Sequence, residues 1–114
     1  KTTYFDASQT ARANNLEIAL NYLNGKIVMP GETFSYNDAI GDTTVAKGYM
    51  AAATFKGGTV VNELGGGICQ TTSTLYDAVL MANLEIVERH QHRTSCWICT
   101  TKFRCNSIFS CVRF

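Results

Sequence analysis

Gly65-Gly66-Gly67 runs without a break into Ile68-Cys69-Gln70 and a stretch to Met81 that carries apolar residues at helical intervals. Three successive glycines sustain neither a helix nor a strand, because each loses the most backbone freedom on ordering and offers no side chain to pack. The chain must turn at 65–67 and start a helix directly afterwards, which places Cys69 at the opening of that helix. Leu75, Val79 and Ala82 fall on one side of it, with Tyr76 and Leu80 close by. Asn83 tolerates the left-handed conformation and closes the helix. Leu84 to His92 then leaves as a strand on which residues 90 and 92 point the same way.

Upstream, Thr10 to Leu23 places Ala13, Leu16, Ala19 or Leu20, and Leu23 at helical spacing, with Asp6, Ser8 or Thr10 as cap and Asn24-Gly25 as stop. Lys26 to Met29 reads as a short extended segment ended by Pro30-Gly31, and Thr33 to Asn37 alternates as a strand does. Ala52–Lys56 and Thr59–Asn62 flank Gly57-Gly58, a hairpin signal. The expected fold is α+β: two helices packed on a small, mostly antiparallel sheet, with an irregular C-terminal tail.

A chain of 114 residues has room for one core. No apolar run approaches the eighteen or so residues of a membrane span, and Lys1-Thr2-Thr3-Tyr4 is no signal peptide, so any export signal or anchor is expected outside this chain. The overall charge of +1 hides an asymmetry: residues 1–92 hold six Lys/Arg and nine acids, net −3, whereas 93–114 hold four bases and no acid, net +4. Cysteine divides the same way, with Cys69 alone in the first part and Cys96, Cys99, Cys105 and Cys111 crowded into the last.

Taken together, Leu23-Asn24-Gly25, Pro30-Gly31-Glu32-Thr33-Phe34-Ser35-Tyr36-Asn37, Gly48-Tyr49, Gly65-Gly66-Gly67-Ile68-Cys69-Gln70, Thr72-Ser73-Thr74-Leu75-Tyr76 and Leu84-Glu85-Ile86-Val87-Glu88-Arg89 resemble the VanW family. These are bacterial cell-envelope proteins first associated with a vancomycin-resistance cluster. The likeness runs in order over about residues 3–92, which are taken as an incomplete VanW-like domain. Asn83 stands where the family often has glycine, and Asp42 where it often has a base.

The likeness stops where charge and cysteine content change, so residues 93–114 read as an aberrant, out-of-frame tail. Reading from Arg93 one nucleotide later turns the Trp97 codon, followed by that of Ile98, into glycine. Synonymous choices elsewhere then give R-P-V-G-Y-V-P-L-S-L-D-A-T-V, which looks like the family's continuation. The tail's C-x2-C-x5-C-x5-C fits no zinc-ligand spacing, and cysteines created out of frame need no function.

What the resemblance implies is an extracytoplasmic role in the cell envelope, with peptidoglycan or its precursors as partner. No cofactor and no nucleic acid are implied, Lys47, Lys56 and Arg89 being too scattered for a nucleic-acid surface. Two functions of different class fit the residues. In the first, Cys69 is the nucleophile of an acyl transferase or hydrolase. The helix start lowers its pKa, the N–H groups there together with Gln70 receive the oxyanion, and His92 or His90 is the base. The order of cysteine on a helix start and histidine on the next strand is also that of transglutaminase-like and papain-like enzymes, an analogy of layout. The third, ring-orienting acid is absent after Glu88 in the chain as given and appears within D-A-T in the restored frame, so an active and an inactive copy both stay open.

In the second, the chain is a non-catalytic wall-binding or assembly module. Gly65, Gly66 and Gly67 admit a ligand backbone, with Tyr36 to stack on a sugar and Thr72 on the helix face; Thr71 to Thr74 either cap that helix or line its exposed side. Cys69, His90 and His92 as a metal site lack a fourth ligand, and none is assigned.

Overall fold

A computed structural model of the chain describes residues 2–91 and 106–113, the latter as backbone. The first helix, α1, covers Thr10–Leu23 as its periodicity predicts. Gln9 precedes it without a side-chain cap; Asp6 instead accepts the Ser8 N–H at 2.9 Å and shapes the approach to the helix. Lys26 to Met29 forms no strand, because Glu32 folds back to accept the Met29 N–H at 2.8 Å. The next strand, β1, is confined to Thr33–Ser35. Ser35 caps a five-residue helix, α2 (Tyr36–Ile40), by accepting the Asp38 N–H at 3.2 Å. Serine followed three residues later by an acid is a helix-start signal, and here it wins over strand alternation.

The hairpin forms as expected, β2 (Ala51–Lys56) against β3 (Thr59–Leu64), with Lys56 paired to Thr59 across Gly57-Gly58 and the Lys56 ammonium bonded to Glu63. The second long helix, α3, covers Cys69–Met81, and Asn83 closes it at φ 55°. After it, β4 (Glu85–Gln91) pairs antiparallel with β5 (Asn106–Arg113), which also pairs antiparallel with β1. The sheet order is β1-β5-β4, and β2-β3 forms a separate two-stranded sheet. The α+β class holds. The tail differs from the irregular segment expected, since 106–113 runs as the middle strand, its backbone groups shared between two neighbours.

The core lies where α1, α2 and α3 meet the larger sheet: Ala19, Tyr36, Ile40, Tyr76 and Val79 are buried, with Leu23, Phe34, Leu75, Leu84 and Ile86 against them. Beside this apolar cluster α1 buries a polar residue completely, Asn15. Its carboxamide accepts the Met50 N–H at 2.8 Å and donates to the carbonyls of Met50 at 2.8 Å and Gly66 at 3.0 Å. One side chain thus ties α1 to the entry of β2 and to the glycine turn. Replacing it by alanine takes that partner from the buried Gly66 carbonyl and from the part-buried N–H and carbonyl of Met50, so Asn15→Ala is expected to cost about 2–4 kcal/mol in urea unfolding. A loss below about 0.5 kcal/mol, the range of a plain surface substitution, would show that these bonds carry no weight.

Candidate functional site

The glycine turn is filled by the protein's own atoms. A β-carbon on Gly66 would lie 2.0 Å from the Ala52 carbonyl oxygen; one on Gly65 would meet Thr43 at 2.8 Å, and one on Gly67 would meet Arg12 Cγ at 2.7 Å. The glycines are needed because β2, the Thr43 loop and α1 press against the turn, whereas the sequence suggested room for a ligand backbone. The turn's hydrogen bonds close on themselves too: Gly65 donates to Met50, Gly66 to Glu63, Ile68 to Gly65, Gln70 to Gly67 and Thr71 to Ile68, each main chain to main chain. The Gln70 and Thr71 N–H groups at the start of α3 are therefore already taken up.

Cys69 is the first residue of α3, a free thiol that is partly exposed. Burial pushes its pKa up, while its own main-chain N–H and the Arg12 guanidinium act in the opposite direction and do not overcome it. The lowered pKa expected from the helix start is corrected accordingly. Loss of hydration outweighs the local positive charge, and Cys69 is a thiol at neutral pH.

Gln70, expected to donate to an oxyanion, is 3% exposed and fully engaged. Its Oε1 accepts from Arg12 Nη2 at 2.9 Å and Nε at 3.3 Å, and its Nε2 donates to Thr3 Oγ1 at 3.1 Å and the Tyr4 carbonyl at 3.0 Å. Both hydrogens of its amide hold the N-terminal segment down, which is why it has none to offer.

Thr72 is 2% exposed and Thr71 and Ser73 are equally enclosed, so these side chains face inward; the Thr72 hydroxyl reaches the Ile68 carbonyl at 3.4 Å. Tyr36 is also buried, its ring in the core and its hydroxyl bonded to Thr71 and to the Ile68 carbonyl, a position that excludes stacking on a sugar. His90 stands on the exposed face of β4, where its Nε2 meets Glu88 Oε1 at 2.8 Å. His92, Cys96, Cys99 and Cys105 lie outside the described residues. Among the described residues no cluster of His, Cys, Asp or Glu is arranged to hold a metal, and no helix is long and apolar enough to cross a membrane.

Sequence reasoning missed Arg12 and Asn15, the residues that organise this region. Both sit on the α1 face that carries Leu16 and Ala19 inward, and a charged or amide residue within a buried face was the available signal. Along the same two helices runs a groove of about 490 Å³ between α1 and α3, lined by Leu20, Asn21, Leu23 and Asn24 from one side and Thr71, Thr74, Leu75 and Ala78 from the other. Its lining carries no charge.

Residues 11–104 match VanW like protein, so the chain is a member of the VanW family. It is 41% identical over 93 residues to the uncharacterized protein YoaR of Bacillus subtilis, covering 82% of this chain and 31% of that protein. It is 32% identical over 84 residues to the vancomycin B-type resistance protein VanW of Enterococcus faecalis, covering 74% and 30% respectively. The chain spans under a third of the length of these curated relatives. No solved structure matches it.

Two outcomes are expected. Gly66→Ala, which drives a methyl into the Ala52 carbonyl, is expected to cost more than about 3 kcal/mol or to prevent folding. Gly57→Ala, where φ is 59° and nothing lies within 4 Å, is expected to cost only about 1–2 kcal/mol of backbone strain. Equal losses in denaturant melts would refute the close-packed turn.

The second concerns pH. The folded state keeps the Cys69 proton to higher pH than the unfolded chain does, so this contribution to stability is complete below the unfolded thiol pKa of about 8.5 and is lost as pH rises through the folded value. Thermal midpoints between pH 7 and 10 are expected to fall more steeply for the unsubstituted chain than for Cys69→Ala. Parallel curves would contradict it.

Proposed function

We propose that the chain is the cysteine-bearing part of an extracytoplasmic cell-envelope protein that transfers or hydrolyses an acyl group of peptidoglycan peptide. The observation that carries this reading is a free, partly exposed thiol on the first residue of α3 with the Arg12 guanidinium acting on it. Kinship with a vancomycin B-type resistance protein supports the reading.

Because Cys69 holds its proton at neutral pH, the nucleophile is made during the reaction rather than kept as a standing thiolate. A base takes the thiol proton as sulfur attacks the peptide carbonyl carbon. The amide C–N bond then breaks, the amine leaves with that proton, and an acyl thioester remains for water or a second amine to cleave. His92 is the base in this proposal, with His90, one ring nitrogen of which meets Glu88, as the alternative.

The uncharged α1–α3 groove favours the second reading, a wall-binding module without chemistry, because it suits a neutral peptide independently of Cys69. The Cys69→Ser variant separates the two. With purified peptidoglycan peptides followed by mass spectrometry, the acyl-transfer reading predicts turnover by the unsubstituted chain that falls at least about a hundredfold in Cys69→Ser, with sedimentation on peptidoglycan retained. Binding with no turnover by either protein leaves the module reading in its place.

A further inference from the structure

We infer that Arg12 is a positioning residue of the Cys69 centre: clamped on Gln70 and laid across Gly67, it is a fixed cation at the first turn of α3 that favours the thiolate. The inference rests on the acyl-transfer reading for its functional meaning, and its geometry stands apart from that reading.

Arg12 Nε and Nη2 both grip Gln70 Oε1, and Gln70 is held from the other side by Thr3 and the Tyr4 carbonyl. The guanidinium therefore cannot swing away without giving up both of its bonds to the oxygen of a glutamine that is itself held in place. Its Cγ, Cζ and Nη1 lie 2.7, 3.3 and 3.3 Å from where a Gly67 β-carbon would stand, so the side chain covers the turn that leads into Cys69. Only glycine at 67 leaves it that path. A planar cation gripping through two N–H groups is more tightly aimed than a lysine ammonium, which would be free to turn to water.

Among the described residues, two titratable groups act on the thiol: Arg12 from α1 and Tyr36 from α2, whose hydroxyl sits beside Thr71. The segment 2–5, Thr-Thr-Tyr-Phe, brings no charged side chain. Arg12 is thus the cation opposing the burial of the sulfur, and the interaction is mutual, the thiolate opposing the effect of burial on the guanidinium. It acts through Cys69 and is a positioning residue, not a catalytic one.

The test is the pH profile of Cys69 alkylation by iodoacetamide in the 114-residue chain, read on the Cys69 peptide by mass spectrometry so that the tail cysteines do not interfere. Arg12→Gln is expected to raise the midpoint by about half a unit or more, slowing labelling about threefold below the midpoint, while Arg12→Lys stays nearer the unsubstituted profile. An Arg12→Gln variant that melts normally and keeps the unsubstituted midpoint overturns the inference. Should Arg12→Gln not fold, Arg12→Met decides: it keeps the aliphatic cover over Gly67 and removes the charge, and its midpoint must also rise, an unchanged one being fatal.

Failure here is distinct from failure of the function proposed above. A shifted profile without peptide turnover removes the enzyme and keeps the Arg12–Cys69 coupling, whereas turnover with an unshifted profile does the reverse.

Discussion

The Asn15 carboxamide ties together in one place three parts of the chain, α1, the entry of β2 and the glycine turn. It accepts the Met50 N–H and donates to the Met50 and Gly66 carbonyls from a position wholly closed to solvent. Main-chain groups buried there without a partner would cost about 1–3 kcal/mol each, so α1 can pack on the glycine turn only if such a side chain comes with it. Asn14 adds a bond to the Gly48 carbonyl at 2.9 Å, and the Gly65 N–H returns to Met50 at 3.0 Å. The entry of β2, the glycine turn and the first half of α1 thus behave as one polar joint at the edge of the apolar core.

The position of Cys69 follows from that joint. Once Gly66 is seated against Ala52, the chain can only leave through Gly67 into α3, and the space over Gly67 belongs to the aliphatic part of Arg12. The Arg12 head then falls on Gln70, the residue next to Cys69. Two opposed effects meet at the sulfur. Enclosure removes water that would solvate a thiolate, and the guanidinium returns part of that stabilisation as a fixed charge. Enclosure is the larger, in keeping with the penalty a low-dielectric setting places on any ion, even one with a cation nearby.

The repeating parts of the structure were legible in the sequence and the singular ones were not. The ends of α1 and α3, the β2-β3 hairpin and the left-handed Asn83 follow from periodicity, glycine pairs and closing residues, which are local effects. Tyr36 was legible as core by its aromatic character but was also a plausible sugar platform, and only the packing of α2 on α1 decides between them. Thr71, Thr72 and Ser73 are polar and look exposed, yet their hydroxyls find acceptors on α3 and in the turn before it, so the helix can bury them. Asn15 and Arg12 acquire meaning only from Met50, Gly66, Gly67 and Gln70, partners 35 to 58 residues away that no local pattern announces. The central place of 106–113 likewise depends on β1 and β4, not on its own composition.

The same packing constrains how any acyl chemistry could run. An oxyanion forming beside Cys69 would find the Gln70 and Thr71 main-chain N–H groups already bonded to Gly67 and Ile68, and the Gln70 amide already bonded to the N-terminal segment. Those donors are available only if the segment lifts or the first turn of α3 loosens, and either change exposes groups that are now paired. The Arg12 guanidinium has five N–H groups and presents two of them to Gln70, so it can meet a second anion without giving up the first contact. On the acyl-transfer reading, negative charge on sulfur would therefore be met by the Cys69 main-chain N–H and then by the arginine of α1, and the arginine can also meet the developing oxyanion without loosening the helix start. Preorganised charge of this kind costs no rearrangement at the moment of reaction, which is the condition under which electrostatic stabilisation is most effective.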